Sequence, residues 1–203
     1  VVVLLALDWA SVGVLESSSR VLMLKLFREL VSNFLRGDEG DDRPRKAVLQ
    51  YEAGVRHARK GQHDRAIEKF TSAIELSPET GALYHHRAGS YAELNRHREA
   101  MRDLNSAVRL NPSYPDIYLD RGNSNRALGE RTAAIRDYSE AIRLRPDFGE
   151  AYANRSVVHV ELGEDKLARE DADQALALSI DEKTLEGLVQ QARESAKVGT
   201  NDR

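Results

Sequence analysis

At 203 residues, 31% of them charged and with a net charge of −3, the chain has the length for one domain plus an extension and the surface of a soluble protein. The near-neutral balance argues against nucleic acid as the main partner, because affinity there comes from clustered neutralisation of phosphates. No cysteine is present, so there is no disulfide framework, no thiol nucleophile and no cysteine-ligated metal, and the compartment stays open.

Residues 1–19 open with an apolar stretch, VVVLLALDWASVGVL, which carries Asp8 and falls short of the roughly 20 residues that span a bilayer. No basic residue precedes it, as a secretory signal requires. The chain begins with Val1 rather than Met. That fits a fragment or processed form, an alternative start codon read literally, or a misassigned start with the true opening at Met23. Residues 20–36 are expected to form an amphipathic helix, with Leu24, Phe27, Val31, Phe34 and Leu35 on one stripe and Lys25, Arg28, Glu29 and Arg36 opposite. Its leading reading is a helix that packs on the first repeat and caps the array. Three basic residues against one acidic also suit a peripheral membrane contact, and the stripe suits a homodimer contact. Residues 37–46, opening GDEGDDRP, read as a charged linker that lets this helix move independently.

From 47 onward the same residues return every 34 positions, in copies 47–80, 81–114, 115–148 and 149–180. Pro78, Pro112 and Pro146 keep the step, as do Ala66, Ala100, Ala134 and Ala168, and Ala73, Ala107, Ala141 and Ala175. A strict period of this length means one supersecondary unit copied and stacked, because a single unit cannot bury its apolar face alone. Each copy splits into two runs with helical periodicity. Gly61, Asn95, Gly129 and Gly163 sit where the first helix must end in left-handed backbone. The recurring prolines force the residue before them out of helical geometry, whereas Pro115 suits the start of a helix. Gly54, Ala88, Gly122 and Ser156 make a small-residue column expected to face the alanines of the second helix. Tyr84, Tyr118 and Tyr152, then Leu94, Leu128 and Leu162, then Phe70, Leu104 and Tyr138 are expected to fill the remaining interior. After Ser179, which with Glu182 could form a capping box, residues 181–197 predict a capping helix with Leu185, Leu188, Val189, Ala192 and Ala196 on one stripe. Residues 198–203 form a tail.

With an aromatic early in the copy, a small residue four later, then Ala, an aromatic, Ala and a closing Pro, residues 47–180 resemble the tetratricopeptide repeat family. Gln50, Ala172 and Ile180 depart from the pattern at the two ends of the array. The resemblance implies an all-α, right-handed α-solenoid of four hairpins plus a capping helix. It also implies that partners bind on the concave surface of the first helices. The groove positions it marks include Tyr51, Val55 and Arg59; His85 and Glu93; Asp116, Leu119, Asn123 and Arg126; and Ala153, Val157, Val160 and Glu161. One branch of the family clamps C-terminal carboxylates with a lysine and asparagine in one repeat, an asparagine in the next and basic residues in a third. Here Leu119 stands where the lysine is needed beside Asn123, and Asn154 is alone in the next copy. The expected partner is therefore a protein that offers an internal peptide segment or a helix. The alternative is an assembly scaffold attached to a membrane or to itself through residues 20–36.

Arg87 and Asp103, Arg121 and Asp137, and Arg155 and Asp171 recur at one separation and read as structural rungs within a hairpin or to its neighbour, with an exposed charge ladder as the alternative. His57 and His159 share one packing column, and His63 and His97 another. His85 and His86 are adjacent and point about 100° apart on a helix, so they cannot chelate together. No nucleophile, base and orienting acid are associated by a motif, and no glycine-rich phosphate loop follows a strand. No enzyme activity, metal or cofactor is expected.

Overall fold

The computed structural model describes residues 42–201, so the expected amphipathic helix at 20–36 lies outside the described residues. Among those residues there are helices and no strand: α1 (Arg43–Arg59), α2 (His63–Leu76), α3 (Gly81–Glu93), α4 (His97–Leu110), α5 (Pro115–Ala127), α6 (Arg131–Leu144), α7 (Gly149–Glu161), α8 (Asp165–Ala177) and α9 (Glu182–Asn201). α1 starts inside the stretch read as linker, because Pro44 has its φ preset for a first helical turn and lacks an N–H that the turn would leave unbonded.

The hairpin turns are made by backbone that the sequence specifies. Gly61, Gly129 and Gly163 have φ of 69°, 82° and 75°, and Asn95 takes the same region at 56°. In each turn the next N–H reaches back five residues, as in Gln62 to His57 O at 3.0 Å and Glu130 to Asn125 O at 2.8 Å, which satisfies carbonyls the helix end leaves open. At the other end of each hairpin, Ser77, Asn111 and Arg145 stand before the prolines with φ near −140°. The clash with the proline ring holds them there and stops the second helix.

α1 packs on α2, α3 on α4, α5 on α6 and α7 on α8, and each second helix packs on the first helix of the next hairpin. The result is an all-α solenoid with α1, α3, α5 and α7 side by side on one face. Both alanine columns lie at the helix contacts, from Ala66, Ala73, Ala100, Ala107, Ala134, Ala141 and Ala175 at 0% exposure to Ala168 at 5%. Only a methyl group lets the backbones come this close while still filling the gap.

One expectation about packing is extended and two change. A Cβ on Gly54 would meet Phe70 Cε1 at 2.6 Å, and one on Gly122 would meet Tyr138 Cε1 at 2.5 Å. The small column thus also meets the large residue one turn beyond the alanines. Ala88 shares a core cluster with Ala100 and Leu104, and Ser156 reaches the alanine column directly, donating to Ala168 O at 2.8 Å. Leu128 and Leu162 are exposed, not interior, because each occupies the residue where the chain leaves the helix. Ser179 takes a left-handed φ of 66° to end α8, and the cap of α9 is Asp181, whose Oδ2 accepts from Thr184 N at 2.8 Å.

Among the described helices α9 is the one placed unlike its counterparts. It packs chiefly along α7. Its Leu185 and Ala192 are buried, and Leu188 and Val189 complete the contact. A cleft of about 260 Å³ remains between α8 and α9, where Ala172 replaces the large side chain found in the earlier hairpins.

Candidate functional site

Across the face of α1, α3 and α5 lies a cavity of about 600 Å³. Of the groove residues expected from the sequence, Tyr51, Val55, Arg59, His85, Glu93, Asp116, Leu119 and Asn123 line it. Val157 does not. It is fully buried under α9, with Val160 and Ala153 beside it, so the fourth copy presents no apolar groove positions. Arg126 and Glu161 bond to each other at 2.8 Å between α5 and α7, and Arg131 adds a second guanidinium to Glu161 at 2.9 Å.

The cavity has an aromatic wall. The Tyr51 ring lies 6.0 Å from Phe70 and 5.2 Å from His86; His86 is 5.8 Å from His85, which is 6.1 Å from Tyr114. The Tyr51 hydroxyl and His86 Nε2 are hydrogen-bonded at 3.1 Å. Burial pushes the His86 ring down to about 3, helped by His85 and Arg59, so His86 is neutral at physiological pH. Burial likewise raises the phenol pKa of Tyr51 and of Tyr114, the latter with Asp116 adding to the effect, so both stay protonated donors. His85 Nε2 lies 2.7 Å from Asp120 Oδ2. A carboxylate only accepts, so Nε2 carries a proton and donates it to Asp120. His63 and His97, read from the sequence as packing residues, also line the cavity. Nothing in the sequence pointed to Tyr114, Asp120 or His86, which lie off the expected groove columns; His86 and Asp120 each follow a groove residue by one position.

Two further features bear on what can bind. Asn123 Oδ1 accepts from both Tyr138 OH at 2.9 Å and Asn154 Nδ2 at 3.0 Å. Both asparagines that a carboxylate clamp would use are therefore bonded to one another. Asp116 pairs with Arg145.

Away from the cavity, each Arg of the recurring pairs grips its own hairpin. Arg87 donates to both oxygens of Asp103 at 2.7 and 2.8 Å, and Arg155 to both of Asp171 at 2.7 Å. Arg121 donates to Asp137 at 2.6 and 3.0 Å. The remaining nitrogen of each reaches the second helix of the preceding hairpin, at Thr71, Asn105 or Ser139. His159 hydrogen-bonds Glu164 and His57 hydrogen-bonds Gln62, so these two close the hairpin turns. No group of three metal-ligating side chains occurs among the described residues.

Four stacked helical hairpins with an open inner face define a solenoid scaffold for protein–protein interaction. The family model described as TPR repeat matches residues 88–129 and 122–163. Among solved structures, the first TPR of Spaghetti (RPAP3) bound to HSP90 peptide SRMEEVD is 31% identical, with a TM-score of 0.58 over 63% of this chain and 99% of that one. The first TPR domain of human RPAP3 is 30% identical, with a TM-score of 0.57 over 60% of this chain and 95% of that one. The MamA protein, at 20% identity and a TM-score of 0.66 over 74% of this chain and 86% of that one, is similar in fold. No curated protein matches the chain. The chain belongs to the tetratricopeptide repeat family.

Proposed function

We propose that this protein is an interaction scaffold that holds an internal segment or helix of a partner protein on the inner face of its first three hairpins, not a free C-terminal carboxylate. The observation that carries this reading is the seat of α9. Its apolar stripe lies on Ala153, Val157 and Val160, the fourth-copy equivalents of positions that line the cavity in copies one and two. The array thus already holds a helix on these columns. The clamp alternative is disfavoured by Leu119 and by the Asn123–Asn154 bond, and the acidic peptide in the Spaghetti structure is a property of that protein.

Gly89 gives a clean test. It lines the cavity, and a Cβ there meets nothing within 4 Å. Gly89→Trp should therefore fill the cavity without disturbing the helix, whose propensity improves on leaving glycine. Random dodecapeptides are offered in two pools, one flanked on both sides and one ending in a free carboxylate; the flanked pool should be enriched by the full chain and its enrichment lost with Gly89→Trp, at an unchanged melting temperature. Enrichment only of peptides with a free terminal carboxylate would refute the reading.

A further inference from the structure

We propose that the cavity between α1, α3 and α5 receives a lysine or arginine side chain of the bound segment. This rests on the groove being the binding face and specifies the chemistry of its occupant. Among the described residues the lining carries Glu93, Asp116, Asp120 and Glu150 against the single guanidinium of Arg59. Arg145 discharges Asp116, yet even with Glu150 set aside as well, Glu93 and Asp120 outnumber the one guanidinium among the described lining residues. Asp120 is held at one oxygen by His85 and keeps 42% of its side chain exposed, so it can accept another donor.

A second observation is independent of charge. The buried side-chain atoms without a hydrogen-bond partner among the described residues are Nδ1 of His63, His85 and His97, and all three residues line this cavity. Buried polar atoms are normally bonded, and three ring nitrogens gathered at one cavity make it a polar site that a ligand group or water completes. His85 is 8% exposed and gives Nε2–H to Asp120; its neutral form keeps Nδ1 as an acceptor that a donor completes. Ammonium and guanidinium groups are donors only. The Tyr51, His86 and Tyr114 rings supply the remaining part of such a site, since an alkyl stem packs on aromatic faces while its cationic head reaches the acids. An acidic side chain fits none of this. It would face the carboxylates of Glu93 and Asp120 and a nitrogen lone pair.

The two-sided dodecapeptide selection provides the probe. Enriched peptides should share an internal Lys or Arg. Replacing that residue by Gln in a synthetic copy should weaken binding at least tenfold, and so should the paired substitutions Glu93→Gln and Asp120→Asn in the protein, which retain shape and the His85 bond. Raising the salt should weaken binding to the wild-type chain as the exposed charges are screened. Peptides that lack a shared basic residue but are still lost with Gly89→Trp would overturn the assignment of the occupant and leave the groove reading standing. Peptides indifferent to Gly89→Trp would overturn both.

Discussion

A methyl group on Gly122 would sit 2.5 Å from Tyr138, whose ring is fully buried and tied through its hydroxyl to Asn123. The ring cannot swing away as a flexible chain would. Gly122→Ala gains about 1 kcal/mol in helix propensity but overpacks at about 1–3 kcal/mol, so we expect a net loss in urea denaturation. The chain contains its own remedy. Where the small residue is Ala88 the facing residue is Leu104, and where it is Gly54 the facing residue is Phe70. Gly122→Ala combined with Tyr138→Leu should accordingly cost less than the sum of the two single changes. Strict additivity would show that the ring does not set the size of the column. This compensation is written in the sequence as paired columns, but it is invisible until the hairpin register shows that the small column meets the large one.

Each Arg–Asp rung joins three helices: a first helix, its own second helix and the second helix before it. Asp137 is buried, and it accepts from Arg121 and also from Asn125 at 2.8 Å. Such a fork resists solvent screening better than an exposed pair and fixes helix register. In a double-mutant cycle with Arg121→Ala and Asp137→Ala we expect a coupling of about 1–3 kcal/mol by urea denaturation. Arg121→Lys should recover little of it, because an ammonium cannot hold the carboxylate and Asn105 together. A coupling near zero, or full rescue by lysine, would mean the rung is a surface pair. The charges at fixed spacing made this element legible. Its third arm was less so: Thr71, Asn105 and Ser139 share a column but no single side-chain type, and only the stacking of one hairpin on the next reveals what they accept. The same limit hid half of the candidate site. Columns on one helix can be counted, whereas Tyr114 reaches the cavity from the turn before α5 and Asp120 through its bond to His85 on α3. Leu128 and Leu162 show the converse, since an apolar repeat at a helix end marks regularity without burial.

For the whole molecule, stability in a solenoid is approximately a sum over repeats and the interfaces between neighbours. The end units are then the weakest unless something covers them. α9 does this in an unequal way: it seals α7 while Leu167 and Leu176 of α8 remain exposed. The amphipathic stripe of α9 could be read from its sequence, but a stripe states which face is buried and not against what. Removing residues 182–203 would uncover Ala153, Val157 and Val160, and at about 25 cal/mol for each Å² of apolar surface returned to water the fourth hairpin should lose much of its stability. By hydrogen exchange we expect the amides of α7 and α8 to lose protection, with α1 to α4 little changed. Peptide binding that depends on Gly89 should survive, since the cavity draws its walls mainly from the first three hairpins. Uniform loss of protection along the chain would instead make the array a single cooperative unit, with α9 part of the support of the groove itself.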